Sequence, residues 1–249
     1  MDEAGASLAE ISRFFVRSLK TRFRDHRAEL SIVRSHIAHR AGIACDVGAN
    51  KGSFTLWLSR WCRGGRVVAF EPQIDLAARL ARTCASIGLH NVQVEAKAVS
   101  AAPGLLPLFI PDGHQPGASL NRSAVADLAF TKATVPVVAL DDFFPASERV
   151  SFLKVDVEGA ELDVFRGATR ILDRDRPLLL FECEGRHLGD ASVSTVLSFL
   201  QSRGYDGRFV SAGRLLPVSM FAEAIHQRRD GEWFWKKEGY CNNFLFAPR

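Results

Sequence analysis

From residue 43 onward, short apolar runs alternate with stretches of helical spacing, and this alternation limits the fold more than any other feature. Ile43–Val47, Arg66–Phe70, Val92–Ala96, Phe152–Val155 and Pro177–Phe181 read as strands. Ser53–Cys62, Ile74–Ile87, Ala160–Leu172 and Val193–Arg203 read as helices between or after them. Such alternation predicts βαβ units, hence a mostly parallel sheet with helices on both faces. The strands are continuous apolar runs, as burial on both faces requires. Tyr205–Val210 and Phe244–Phe246 are strand-like without a clean crossover helix, which predicts an antiparallel closing strand. Between residues 98 and 142 the text is irregular. Leu105–Ile110 and Thr134–Ala139 read as strands around a Gly/Pro-rich loop at 111–121, and a long loop in a compact α/β domain is usually functional.

Upstream, residues 6–40 read as helical. Leu8, Ile11, Phe15 and Leu19 form one stripe, and Leu30, Val33 and Ile37 another. Arg13, Arg17, Lys20, Arg22, Arg24, Arg27, Arg34 and Arg40 face only Asp25 and Glu29 here, so the rest of the chain is slightly acidic despite a net charge of +4. The expected organisation is a helical extension over 1–42 and one α/β domain over 43–249. The favoured reading of the basic stripe is a solvated helix pair packing on that domain. The alternatives are an anionic membrane surface, an acidic carrier or a contact between copies of the chain.

The 249 residues suffice for one large domain that needs no disulfide or metal staple. The five cysteines are widely spaced with no CxxC pair, which fits a reducing, cytoplasmic setting. No apolar run approaches a membrane span, and the acidic start Met1-Asp2-Glu3 lacks a signal-peptide pattern.

The first βα junction reads Asp46-Val47-Gly48-Ala49-Asn50-Lys51-Gly52-Ser53. It lies at the carboxyl edge of the sheet, where open α/β folds bind ligands. A dinucleotide site would carry G-x-G-x-x-G and hold pyrophosphate on the helix N-terminus. This loop has two glycines four apart, and an acid that would repel phosphate. The electrostatics favour a cationic cofactor without phosphate, S-adenosylmethionine. Glu71, followed by Pro72 at the tip of the second strand, is placed to accept from ribose hydroxyls.

These residues resemble the FkbM family of methyltransferases. The matching text is DVGANKGSFT at 46–55, VVAFEP at 67–72, NVQVEAKAVS at 91–100, VVALDDFF at 137–144 and FLKVDVEGAELDVFRGA at 152–168. Lys51 stands where the family more often has an apolar residue. The resemblance implies a doubly wound, mostly parallel seven-stranded sheet with an antiparallel last strand. It implies that Asp46, Gly48, Asn50 and Gly52, with the adjoining Ala49 and Ser53, line the methionine end of the cofactor. Glu71 with Pro72 would hold the ribose, residues around Ala98 would edge the adenine, and Asp156 would face the sulfonium. The implied reaction is methyl transfer to a hydroxyl of a sugar, polyketide or other small natural product.

A hydroxyl acceptor must lose a proton, so a base is needed within hydrogen-bond reach. Asp156 and Glu158 leave the fourth strand at the active edge and rank ahead of His187. Glu182 and Glu184 are weaker candidates, and Glu161 suits the first turn of a helix. No metal is expected. RNA or protein methylation and a non-catalytic cofactor-binding scaffold are the alternatives, with nucleic acid disfavoured by the absence of (D/N)PP(Y/F) after the fourth strand. Substrate donors are expected from residues 113–122, and aromatic faces from Trp233-Phe234-Trp235, unless those rings pack in the core.

Overall fold

The structure, a computed structural model, describes residues 5–38, 40–113 and 117–249. The expected parallel sheet is present, with one strand more than the seven expected. Its strands are β1 Ile43–Val47, β2 Arg66–Phe70, β3 Val92–Glu95, β7 Val150–Val155, β8 Leu178–Glu182, β9 Tyr205–Ser211, β10 Arg214–Pro217 and β11 Asn243–Pro248, in spatial order β10-β9-β11-β8-β7-β1-β2-β3. Strands β3, β2, β1, β7 and β8 run parallel, and β11 inserts antiparallel between β8 and β9. The eighth strand, β10, folds back on β9 as an edge hairpin whose turn uses Ala212 and Gly213, both at positive φ.

The pleat sorts each central strand between two helical layers. Ile43, Cys45 and Val47 of β1 pack with α6 Glu161–Arg166, α7 Thr169–Arg174 and α8 Val193–Ser202. Ala44 faces the other way, toward α2 Arg27–Ile37 and α3 Thr55–Trp61. Asp46 shares the face of Ala44, so the first strand carries an acid into a buried layer.

The helix expected over 160–172 is two helices. Gly167 separates them, because a Cβ there would lie 2.1 Å from the Ser100 carbonyl oxygen, too close for any side chain. The N-terminal helical run is likewise divided. Helix α1 covers Leu8–Lys20, a π-helical turn covers Thr21–Asp25, and α2 follows after His26 leaves helical geometry. Ser7 and Glu10 form a reciprocal capping box at the start of α1. Leu30, Val33 and Ile37 are fully buried against the sheet. Phe14 packs with Leu56 and with Leu80 of α4 Ile74–Ser86. Both helices therefore spend one face on this chain's own domain, whereas Leu8, Val16, Leu19 and Phe23 stay exposed.

The two strands expected after β3 are present and join a third in a separate sheet. β4 Ala98–Val99, β5 Gly104–Pro111 and β6 Phe130–Val138 make a second sheet in the order β4-β6-β5, with a core of Ala98, Leu108, Val135 and Val137. Among the described residues no helix is long and apolar enough to cross a membrane.

Candidate active site

A cleft opens at the carboxyl edge of β1, β2 and β7. Gly48, Asn50, Glu71, Pro72, Ala98, Asp156 and Glu158 all line it, as do Glu182 and the apolar side chains of Phe70, Val99, Leu108 and Leu120. Gly48 holds φ +74°, and a Cβ there would strike the Asp156 carbonyl oxygen at 1.8 Å. Its glycine character is therefore required by the approach of the β7 loop.

Asp46 and Glu71 sit at adjacent strand tips in different surroundings. Asp46 is fully buried and does not line the cleft. Its Oδ2 accepts from Thr55 Oγ1 at 2.7 Å, and its Oδ1 is 3.2 Å from Lys154 Nζ. Lys154 is itself buried. It donates to the Gly48 carbonyl at 2.8 Å and lies 3.4 Å from Asp156. Burial alone would discharge it, but Asp46 and Asp156 hold its pKa above the usual lysine value. Asp46 reaches the loop through Lys154, and the acids that line the cleft are Glu71, Asp156, Glu158 and Glu182.

Glu71 is nearly as buried but faces the cleft wall. Its two oxygens accept from the backbone N–H groups of Asn50 at 2.8 Å and Gln73 at 2.9 Å. Burial raises its pKa in spite of those bonds. Each carboxylate oxygen can accept a second hydrogen bond, so Glu71 can receive a ligand's hydroxyl pair while its own position is fixed by main chain.

Ala49, Ser53 and Gly52 lie off the main cleft. Ala49 and Ser53 line an adjoining hollow with Lys51 and Lys154. Gly52 lines neither space. At φ +75° it lies where a Cβ would be 2.3 Å from Leu80 and 2.8 Å from Phe14, so it serves packing beneath the loop.

At the other end of the cleft the acids converge. Glu158 Oε2 lies 2.9 Å from His187 Nδ1, which brings two separated candidates into one pair. His187 stands behind Glu158 and does not line the cleft. Glu158 has φ +53°, a costly conformation for a glutamate, and its neighbour Gly159 has no room for a Cβ against His187. Ser119 donates to the Glu158 carbonyl at 2.6 Å. Asn121 donates to the carbonyls of His187 at 2.7 Å and Gly159 at 3.2 Å. These two side chains, expected to meet substrate, instead hold the Glu158 loop. His114 lies outside the described residues.

Glu182 is half-buried at the end of β8, where desolvation and then the neighbouring Asp156 and Glu158 push its pKa well above the usual value. Asn242 donates to it at 2.7 Å. Glu184 turns away. Burial pushes its pKa up, but Arg186 at 2.5 Å and Tyr240 at 2.6 Å outweigh that and hold it down to about 2. Glu161 sits in the first turn of α6 as expected, yet it is buried, and burial pushes its pKa up to about 8. Among the described residues no group of three or more His, Cys, Asp or Glu is arranged to hold a metal ion.

The tail rings do not join the core. Trp233 is 50% exposed, and Trp235 stacks under the Arg186 guanidinium at 4.8 Å. Lys154 and Asn242 are the positions sequence reasoning left without a role. Lys154 alone carried a signal, a lysine inside an otherwise apolar strand, which demands acids on its neighbours.

A cleft bordered by Asp156, Glu158, Glu182 and Glu71, with Lys97 already paired to Glu95 at 2.6 Å, suits a cation better than a pyrophosphate. A solved FkbM methyltransferase from Methylobacillus flagellatus KT superposes with a TM-score of 0.53 at 14% identity, covering 97% of this chain and 56% of that one. Two curated fungal proteins, Methyltransferase 1 of Beauveria bassiana (strain ARSEF 2860) and Methyltransferase sdnD of Sordaria araneosa, are each 33% identical over 49% of this chain. The match spans 56% and 58% of their lengths, a little over half. The profile described as the Methyltransferase FkbM domain matches residues 46–206. With the glycine loop, the Glu71 tip and the Glu158 loop all inside that span, the chain belongs to the FkbM methyltransferase family.

Proposed function

We propose that the chain is an S-adenosylmethionine-dependent O-methyltransferase acting on a hydroxyl of a small natural product such as a sugar or polyketide. The observation that carries this reading is the Glu158–His187 pair at 2.9 Å, with the Glu158 side chain on the cleft wall. A carboxylate held this way is a base for a hydroxyl, and a base within reach is what O-methylation asks of the protein.

The residues fit the cofactor by their chemistry. Glu71 has acceptor capacity left for ribose hydroxyls. Pro72, Ala98, Val99 and Leu108 offer an apolar slot for a flat base. The acids at the β7 and β8 tips favour a positive centre. When bound, the cofactor supplies an activated methyl group, and the protein supplies position and charge. Glu158 takes the acceptor proton. His187 fixes the Glu158 carboxylate. Ser119 and Asn121 hold the backbone beneath it, and in-line placement of this kind is worth up to about 7–11 kcal/mol. The half-exposed Trp233 and Trp235 offer ring faces for a sugar or polyketide.

Calorimetry with S-adenosylmethionine, S-adenosylhomocysteine and NAD tests the cofactor. Micromolar binding of the two adenosyl ligands and none of NAD is the expected result; NAD binding alone would overturn it. A screen of hydroxylated sugars and polyketides then tests the acceptor. Turnover restricted to amine or RNA acceptors would refute O-methylation of small molecules.

A further inference from the structure

Arg17 stands on α1, outside the residues matched by the family profile, yet it forms part of the wall of the hollow beside the glycine loop. That hollow is bounded by Arg17, Thr21, Asn50, Lys51, Lys154 and Asp156, among others. It joins the main cleft through Gly48, Asn50 and Asp156, which line both. Arg17 and Asn50 also line a second, outer hollow with Arg13 and Arg79.

The fold places Arg17 firmly. Three residues earlier, Phe14 packs beneath Gly52 and against Leu80. One residue later, the Ser18 carbonyl accepts from Trp57 Nε1 at 2.7 Å. The guanidinium is nevertheless left in want of an anion. Its Nε is buried without a hydrogen-bond partner, and so is Oδ1 of the adjacent Asn50. Among the described residues no carboxylate lies within ion-pair distance of Arg17, since Glu10 pairs with Arg79 at 3.5 Å. Arg13 and Arg79 add like charge beside it. The buried, unpartnered Nε carries a cost that a hydrogen-bond acceptor would recover.

The inner hollow carries both signs of charge, with Arg17, Lys51 and Lys154 cationic and Asp156 anionic. Lys154 is already engaged by Asp46 and Asp156, whereas Arg17 and Lys51 have no carboxylate partner among the described residues. An amino-acid zwitterion carries a carboxylate and an ammonium one carbon apart, so it offers an anion to Arg17 and Lys51 and a cation to Asp156. We propose that Arg17, assisted by Lys51, binds the carboxylate at the amino-acid end of the adenosyl cofactor, so that the N-terminal helix is a wall of the cofactor site. This rests on the adenosyl cofactor assigned above.

The test measures binding of S-adenosylhomocysteine and of 5′-methylthioadenosine, which lacks the amino-acid end, to the full chain and to Arg17→Gln, Arg17→Lys and Arg79→Gln. Arg17→Gln is expected to weaken S-adenosylhomocysteine about 10- to 100-fold, the range of a charge-assisted hydrogen bond, and to leave methylthioadenosine within about twofold. Arg17→Lys should recover part of the loss. Arg79→Gln removes a charge from the outer hollow alone and should change neither ligand by more than about threefold. Equal weakening of both ligands in Arg17→Gln would show a structural role for α1 and overturn the proposal. So would unchanged S-adenosylhomocysteine binding, or an Arg79 effect as large as that of Arg17. If the unaltered chain bound neither ligand, the cofactor assignment itself would fall, and the proposal with it.

Discussion

The two ends of the cleft hold their acids in different ways. At the β2 end, Glu71 is fixed by two backbone N–H groups. At the β7–β8 end, every acid leans on another side chain: Asp156 on Lys154, Glu158 on His187 and Glu182 on Asn242. A main-chain cradle positions one carboxylate and leaves the rest of the site indifferent to it. A side-chain network couples its members, so a change at one spreads to the others. The first arrangement suits binding of a constant part of a ligand. The second suits a reacting centre whose proton must be placed.

The largest effect should come from the network. Glu158→Gln is expected to lower kcat about 10²- to 10⁴-fold with S-adenosylhomocysteine affinity retained, measured by single-turnover methyl transfer. A loss of affinity instead would move Glu158 from the chemistry to the cofactor. Lys154→Met leaves Asp46 and Asp156 without their shared cation and should cost about 3–5 kcal/mol in urea unfolding. A cost below about 1 kcal/mol would mean that the buried charges are not coupled as their 3.2 and 3.4 Å separations imply.

The sharpest form of the comparison sets Glu71→Gln against Asp46→Asn. The first should cost about 1.5–3 kcal/mol in adenosyl-ligand binding and about 1 kcal/mol of stability, since the amide can accept from only one of the two backbone N–H groups. The second should cost about 1–3 kcal/mol of stability and proportionately less binding. The reverse pattern would break the distinction between them. The smallest effect concerns pH. Glu161 has a folded pKa raised from 4.5 to about 8, so the folded state binds its proton more tightly than the unfolded chain does. Its favourable contribution is complete below about pH 4.5 and is lost as pH rises toward 8. Glu161→Gln should therefore gain thermal stability relative to the parent across that window and hold a constant advantage above it. A difference in Tm that does not change with pH would refute the assignment.

Legibility in the sequence followed the same division. The five parallel strands were readable because both-sided burial leaves a continuous apolar run, and the glycine loop and Glu71 were readable because they follow strands directly. Asp46 and Glu71 looked equivalent, since nothing local separates an acid beneath a loop from one facing a cleft. That difference is made by Lys154, more than a hundred residues downstream. The insert sheet was half visible. Its strands β5 and β6 show, but the clamp by Ser119 and Asn121 depends on where the sheet lands. Strand β10 was missed because its two apolar residues, Leu215 and Leu216, are too short a run to register. The rings at 233–235 leaned toward core packing by their apolar character, and the structure instead places Trp233 and Trp235 at the surface.

The hold of Ser119 and Asn121 on the Glu158 loop bears on how such a chain can diversify. A segment that shapes the entrance would ordinarily be free to vary, and exchanging it would be the simplest route to a new acceptor. Here that segment also fixes the carboxylate proposed as the base, so a transplanted insert would bring its own alignment error.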